Sequence, residues 1–153
     1  MKQQEAHNRL RRVRDEQLAA RYSLGRAEAK WDLESGTPTA EFREKVTLGE
    51  IRRAAENLER TFVLRLFSEF EGVLFDFWES GLGHDADQSN ASQLIDQIGS
   101  VQTIGAVYRQ GAHEVRKWRN KLVHPRAKPA EPLTVDQCLG KLGRYLSFFP
   151  QNW

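Results

Sequence analysis

Cysteine is nearly absent from this chain. Its 153 residues contain one, Cys138, which excludes an internal disulfide and a cysteine-built zinc site. The residue reads instead as a small buried apolar group on a helix. No apolar run approaches the ~20 residues that span a bilayer, and the basic, polar N-terminal stretch has no signal-peptide core. The expectation is a cytoplasmic protein without membrane association. Long alternations of apolar and polar residues are also missing, so strands are not expected. Lys and Arg are wholly absent from residues 66–100, which carry seven acids. The next segment reverses this, with seven cations and one acid, Glu114, in residues 109–128. A net charge of +2 conceals that division, in which one surface attracts a polyanion and another repels it.

What is present is helical pattern broken by Gly and Pro. The length suits a single domain, residues 1–153, with a real core. Residues 3–33 form a polar, Arg/Glu-rich helix with Leu10, Val13, Leu18, Tyr22 and Leu24 as its thin apolar stripe. ESGTPT (34–39) is a break, with a short helical turn expected at 40–46. Thr47 and Glu50 make a capping box for a helix that runs to about Glu79, roughly 50 Å at 1.5 Å per residue. A compact globule of this length is only about 38 Å across, so the helix kinks or the molecule is elongated. From Phe62 to Trp78, eleven of seventeen residues are large and apolar. So wide an apolar surface implies burial on more than one side, which points to a homodimer. The six aromatics there read as core.

Residues 81–89 form a polar loop in which His84, Asp85 and Asp87 are too few to make a metal site. No metal and no cofactor are expected. A short helix follows at about 90–99. In the next helix Ile104, Val107, Tyr108, Gly111, Ala112, Val115, Trp118 and Leu122 recur at three- and four-residue spacing, giving it a buried face. Pro125 ends it. After a Pro-rich loop, Thr134 and Gln137 form a second capping box for a last helix reaching about Phe149. The fold class expected is all-α, an elongated up-and-down bundle of four to five helices.

The chemistry concentrates in RKWRNKLVHPRAK, residues 116–128, which gathers six cations, an Asn and a His before a Pro. Arg116, Asn120 and His124 fall at successive i, i+4 steps on one helix face. Arg119 stands five positions before His124, about 140° away on an ideal helix, but a residue before proline is pushed out of the α region and its direction is freed. At a helix C-terminus the dipole favours a charged imidazole, while nearby cations favour a neutral one, a balance suited to general acid or base work. Arg supplies a rigid fork for a phosphate, and Asn120 is placed to orient the imidazole. These parts suffice for metal-free RNA cleavage, in which His124 takes the 2′-hydroxyl proton and that oxygen attacks its own phosphate. Arg119 steadies the pentacovalent state, and DNA is resistant. Arg116, Lys117, Lys121, Arg126 and Lys128 form a phosphate track around this site.

WRNKLVHP resembles the R-x4-6-H signature of the HEPN superfamily, with Arg119 and His124 in the signature positions and Asn120 matching the polar residue that commonly follows the Arg. On that likeness residues 47–149 make a HEPN-like core, with the N-terminal helix outside it. The resemblance implies a helical homodimer whose two motifs face one another across a cleft, and a metal-independent ribonuclease of toxin, defence or RNA-processing type, with an antitoxin or regulatory protein as a possible partner. In a dimer an Arg of one subunit can serve the His of the other. Some toxin members carry, two residues after the His, a Tyr that an antitoxin adenylylates. Arg126 stands there in this chain.

Two alternatives stay open. One is a non-catalytic HEPN-like domain that binds RNA or nucleotide, with Arg119 and His124 exposed but too far apart to share a phosphate. The other is a helical dimerisation or adaptor protein, with Arg119 paired to Glu69, Glu71 or Asp76 and His124 serving as a helix cap.

Overall fold

The computed structural model describes residues 1–33, 46–85 and 90–153. The break at 34–39 and all but the last residue of the turn expected at 40–46 lie outside them. Among the described residues there are five α-helices: α1 (Gln3–Leu33), α2 (Leu48–Asp76), α3 (Ala91–Val101), α4 (Ala106–Val123) and α5 (Val135–Leu146). A wider turn, Phe77–Gly81, continues α2. Among the described residues no strand occurs, and no helix is long and apolar enough to cross a membrane.

Local sequence accounts for where three of these helices start. Thr47 and Thr134 each accept from the backbone N–H three residues on, while Glu50 and Gln137 reach back to the cap N–H. Asn90 and Gln93 do the same for α3. Each such cap contributes about 1 kcal/mol. The Glu50 carboxyl is held below its usual range by these bonds, the backbone bond first. At the other end of α4, His124 leaves the helix with φ −120° and ψ 94°, the extended backbone that a following proline demands.

The central element is α2, which packs against each of the other four helices. Pairs between α1 and α2 run in opposite senses, Glu16–Arg65, Gln17–Glu59 and Glu28–Arg52, so these two long helices are antiparallel. Phe62, Val63, Leu66, Phe67, Phe70, Val73, Leu74, Phe77 and Trp78 are all buried. Each such side chain stabilises the fold by roughly 1.5–3 kcal/mol. One copy of the chain covers this wide apolar face, because α1, α3, α4 and α5 surround it. Its width therefore requires no second copy, and the ground given for a homodimer in the sequence falls away.

Two helical stripes differ from expectation. On α1 the buried positions are Ala6, Leu10, Val13 and Gln17. Leu18 and Tyr22 are exposed, Tyr22 at 67%. Gln17 is only 4% exposed because it donates to Glu59 Oε2 at 2.9 Å, whose other oxygen accepts from the Val135 N–H at 2.6 Å. One carboxylate thus ties α1, α2 and the start of α5 together. On α4 the stripe begins late: Gly111, Ala112 and Val115 are buried, but Val107 is 79% exposed and Tyr108 also reaches solvent, its ring 5.0 Å from that of the exposed Phe148.

The ends of the chain meet. Lys2 and Asn152 pair as an isolated bridge, the Met1 amine donates to the Trp153 carbonyl, and Gln3 Nε2 donates to the carbonyls of Phe149 (2.8 Å), Ser147 (3.0 Å) and Leu146 (3.2 Å). Cys138 is fully buried in α5. Burial, and then the charge of Glu59, push its thiol up to about 12.

Candidate nucleic-acid interface

Helices α3 and α4 lie antiparallel, with Gly99 against Arg109, Asp96 against His113, and the start of α3 beside Arg116 and Asn120. That crossing brings the basic end of α4 to the N-terminus of α3. The space between them is a cavity of about 350 Å³. Helix α2 supplies Phe67 and Glu71, one turn apart, and α3 supplies Asn90, Ala91 and Ser92. Helix α4 supplies Arg116, Arg119 and Asn120, the i, i+3 and i+4 positions of one face.

Arg119 is half-buried. Its guanidinium lies 5.8 Å from the centre of the Phe67 ring, within cation–π range, and its Nη1 donates to Asn120 Oδ1 at 3.1 Å. Among the described residues no carboxylate comes within ion-pair distance of Arg119. Neither Glu69 nor Asp76 lines its cavity, and Glu71, which does, makes no ion pair. Arg116 beside it is likewise without an acid, and its Nε is shut off from solvent with no hydrogen-bond acceptor. Asn90 Oδ1 and the Asn90 carbonyl take the N–H groups of Gln93 and Leu94. The N–H groups of Ala91 and Ser92 have no acceptor among the described residues and stand at the cavity wall.

His124 is not among the residues lining the cavity. Its backbone N–H donates to the Asn120 carbonyl at 2.8 Å and its carbonyl accepts from Ala127, while its imidazole is exposed and makes no hydrogen bond. The Asn120 side chain thus serves Arg119, and Asn120 meets His124 only through its backbone. Lys121 is committed to the chain itself: its Nζ donates to the carbonyls of Pro125 (2.6 Å) and Ala127 (3.3 Å), clamping the loop after the helix. Lys117, Arg126 and Lys128 are exposed. The fold therefore collects Arg116, Arg119 and Asn120 in one cavity, leaves His124 outside it, and keeps three of the other four cations at the surface.

The remaining histidines serve other ends. His84 stacks on Trp78 at 4.3 Å, and Asp87 lies outside the described residues. Among those described, no group of three His, Cys, Asp or Glu is placed to hold a metal. His113 Nε2 meets Asp96 Oδ1 at 2.9 Å. Burial, and then Arg11, lower the pKa of His7. Phe67, Asn90 and Ser92 are site residues that sequence reasoning missed, while Glu71, expected only as an ion-pair partner of Arg119 in an adaptor, lines the cavity without pairing. The one signal available was the capping pair Asn90 and Gln93, which fixes a helix N-terminus but not its neighbour. No family model matches this chain, and neither does any curated protein or solved structure.

Proposed function

We propose that this chain is a HEPN-like RNA-binding domain that cleaves RNA without a metal when two copies pair. The observation that carries this reading is Arg119, which lines an open cavity on Phe67 and Asn120 and, among the described residues, has no carboxylate within ion-pair distance. An adaptor helix offers no use for a guanidinium held over an aromatic ring at the wall of an open cavity. A phosphodiester supplies the missing anion in the geometry that an Arg fork fits.

In this reading the imidazole of His124 accepts the proton of a ribose 2′-hydroxyl. The 2′-oxygen attacks the adjacent phosphorus, the bond from phosphorus to the 5′-oxygen breaks, and the leaving oxygen takes a proton from water or from the partner's His124. Arg119 stabilises the charge that develops on the phosphoryl oxygens. The products are a 2′,3′-cyclic phosphate and a 5′-hydroxyl. Because the imidazole of one copy stands outside its own cavity, the reaction assigns Arg119 and His124 to different subunits. Binding without cleavage is the second reading, and the separation of His124 from the cavity is what favours it.

The test is incubation of mixed-sequence RNA with the chain in excess chelator, beside folded His124→Ala and Arg119→Ala variants, followed by analysis of fragment ends and of mass in solution. The expected result is cleavage by the wild-type dimer alone, leaving cyclic phosphates. Binding without cutting at any protein concentration replaces this reading with the second one. Equal cutting by all three proteins rejects the assignment.

A further inference from the structure

Arg116 and Arg119 stand at the N-terminus of α3, where a cation is unwelcome. Aligned peptide dipoles place about half a positive charge at that end of a helix, so a guanidinium there is disfavoured unless an anion lies between. Among the described residues nothing supplies that anion: no acid pairs with either Arg, and Asn90 caps the helix as a neutral group. Arg116, Arg119 and the first turn of α3, Ala91 and Ser92, all line one space of about 350 Å³. Arg119 spends one N–H on Asn120, and among the described residues neither guanidinium has an acid. Among the described residues Glu71 is the one charge of opposite sign on the cavity wall, and as an anion it weakens the site for a second anion.

We propose that this cavity is a phosphate subsite, built by Arg116 and Arg119 against the start of α3, that holds a backbone phosphate of the RNA strand. The proposal rests on the RNA-binding reading above; it separates Arg116 from the other cations of the expected phosphate track by placing it in the cavity, and adds a selectivity residue, Glu71. Arg116 binds and does not act on the reacting atoms. Glu71 lowers the affinity of the site for any anion and lowers it more for a doubly charged phosphate than for a singly charged diester. A diester within a strand is thereby favoured over free phosphate or a phosphomonoester.

The experiment uses a dye-labelled 2′-O-methyl oligonucleotide of mixed sequence, which cannot be cleaved, and reads anisotropy with the full chain at fixed low salt. Arg116→Ala is expected to weaken binding on the order of tenfold or more. Glu71→Gln is expected to tighten it several-fold. Thermal unfolding of each variant checks the fold, and Arg116→Lys, which keeps the charge but loses the fork, is expected to recover only part of the loss. Inorganic phosphate, titrated as competitor, is expected to displace the strand weakly in wild type and more strongly in Glu71→Gln. Binding that is indifferent to Arg116, or a Glu71→Gln variant that binds no more tightly, overturns the subsite. Phosphate binding that depends on Arg116 without oligonucleotide binding that does so makes this a small-anion site and overturns the RNA assignment. Cleavage is not read, so loss of nuclease activity in the chelator experiment leaves this result standing, and an intact nuclease with an inert Arg116 refutes the subsite alone.

Discussion

The two ends of α3 meet the same helix, α4, and each receives an arginine, yet the surroundings are opposite. At the C-terminal end Arg109 packs over Gly99, where a cation lies with the helix dipole. At the N-terminal end Arg116 and Arg119 lie against it. The first end is closed: a Cβ built on Gly99 would sit 2.4 Å from Arg109 Cδ, and Tyr145 seals the neighbouring turn by donating its O–H to the Ile95 carbonyl at 2.7 Å. The second end is open, with a cavity where the first has a contact. Within one pair of helices, the fold spends its packing on one junction and leaves its donors exposed to a ligand at the other.

Removing what the two junctions share should damage both. Phe70 sits 6.0 Å from Phe67 at the open end and 5.6 Å from Tyr145 at the closed one. Phe70→Ala is expected to cost about 3–5 kcal/mol, seen as a lower denaturant midpoint together with weaker oligonucleotide binding. Gly99→Ala tests the closed end alone. Its methyl displaces the Arg109 side chain, for a loss of about 1–3 kcal/mol, with oligonucleotide affinity unchanged once the protein is folded. Asn90→Ala tests the open end alone, with a cost of about 1 kcal/mol from the lost cap. The smallest effects differ in sign. Arg109→Met should destabilise by about 0.3–1 kcal/mol, and Arg116→Met should stabilise by a similar amount, because only the first cation is placed with the dipole. Urea unfolding in a chloride buffer free of phosphate reads both. If Arg116→Met is the less stable of the pair, the comparison of the two ends is wrong.

Much of this architecture was legible in the sequence. The capping threonines, the length of α2, the stop at Pro125 and the all-α class follow from local rules, and local rules hold wherever a helix chooses its own ends. Burial faces were less legible. Leu18 and Tyr22 continue an apolar stripe on α1 that the fold does not use, because Gln17 takes the buried position with a partner, Glu59, forty-two residues away. Val107 and Tyr108 keep the period of α4 yet stay exposed at its first turn. The motif was legible as chemistry but not as geometry. Its Arg and Asn meet in a cavity whose other walls, Phe67, Glu71 and Ser92, come from helices that no spacing in the motif foretells. Its His projects from a residue whose backbone the following proline has turned away.

Cys138 gives the bundle a built-in clock. With the thiol held protonated and out of solvent, a reagent such as an aromatic disulfide can react only with molecules in which α5 has come away from its neighbours. The labelling rate of an otherwise unmodified chain therefore counts openings that free α5, and comparing it with and without RNA measures how strongly a ligand at the start of α3 holds shut the helix that is bonded to α3 through Tyr145 and Ile95.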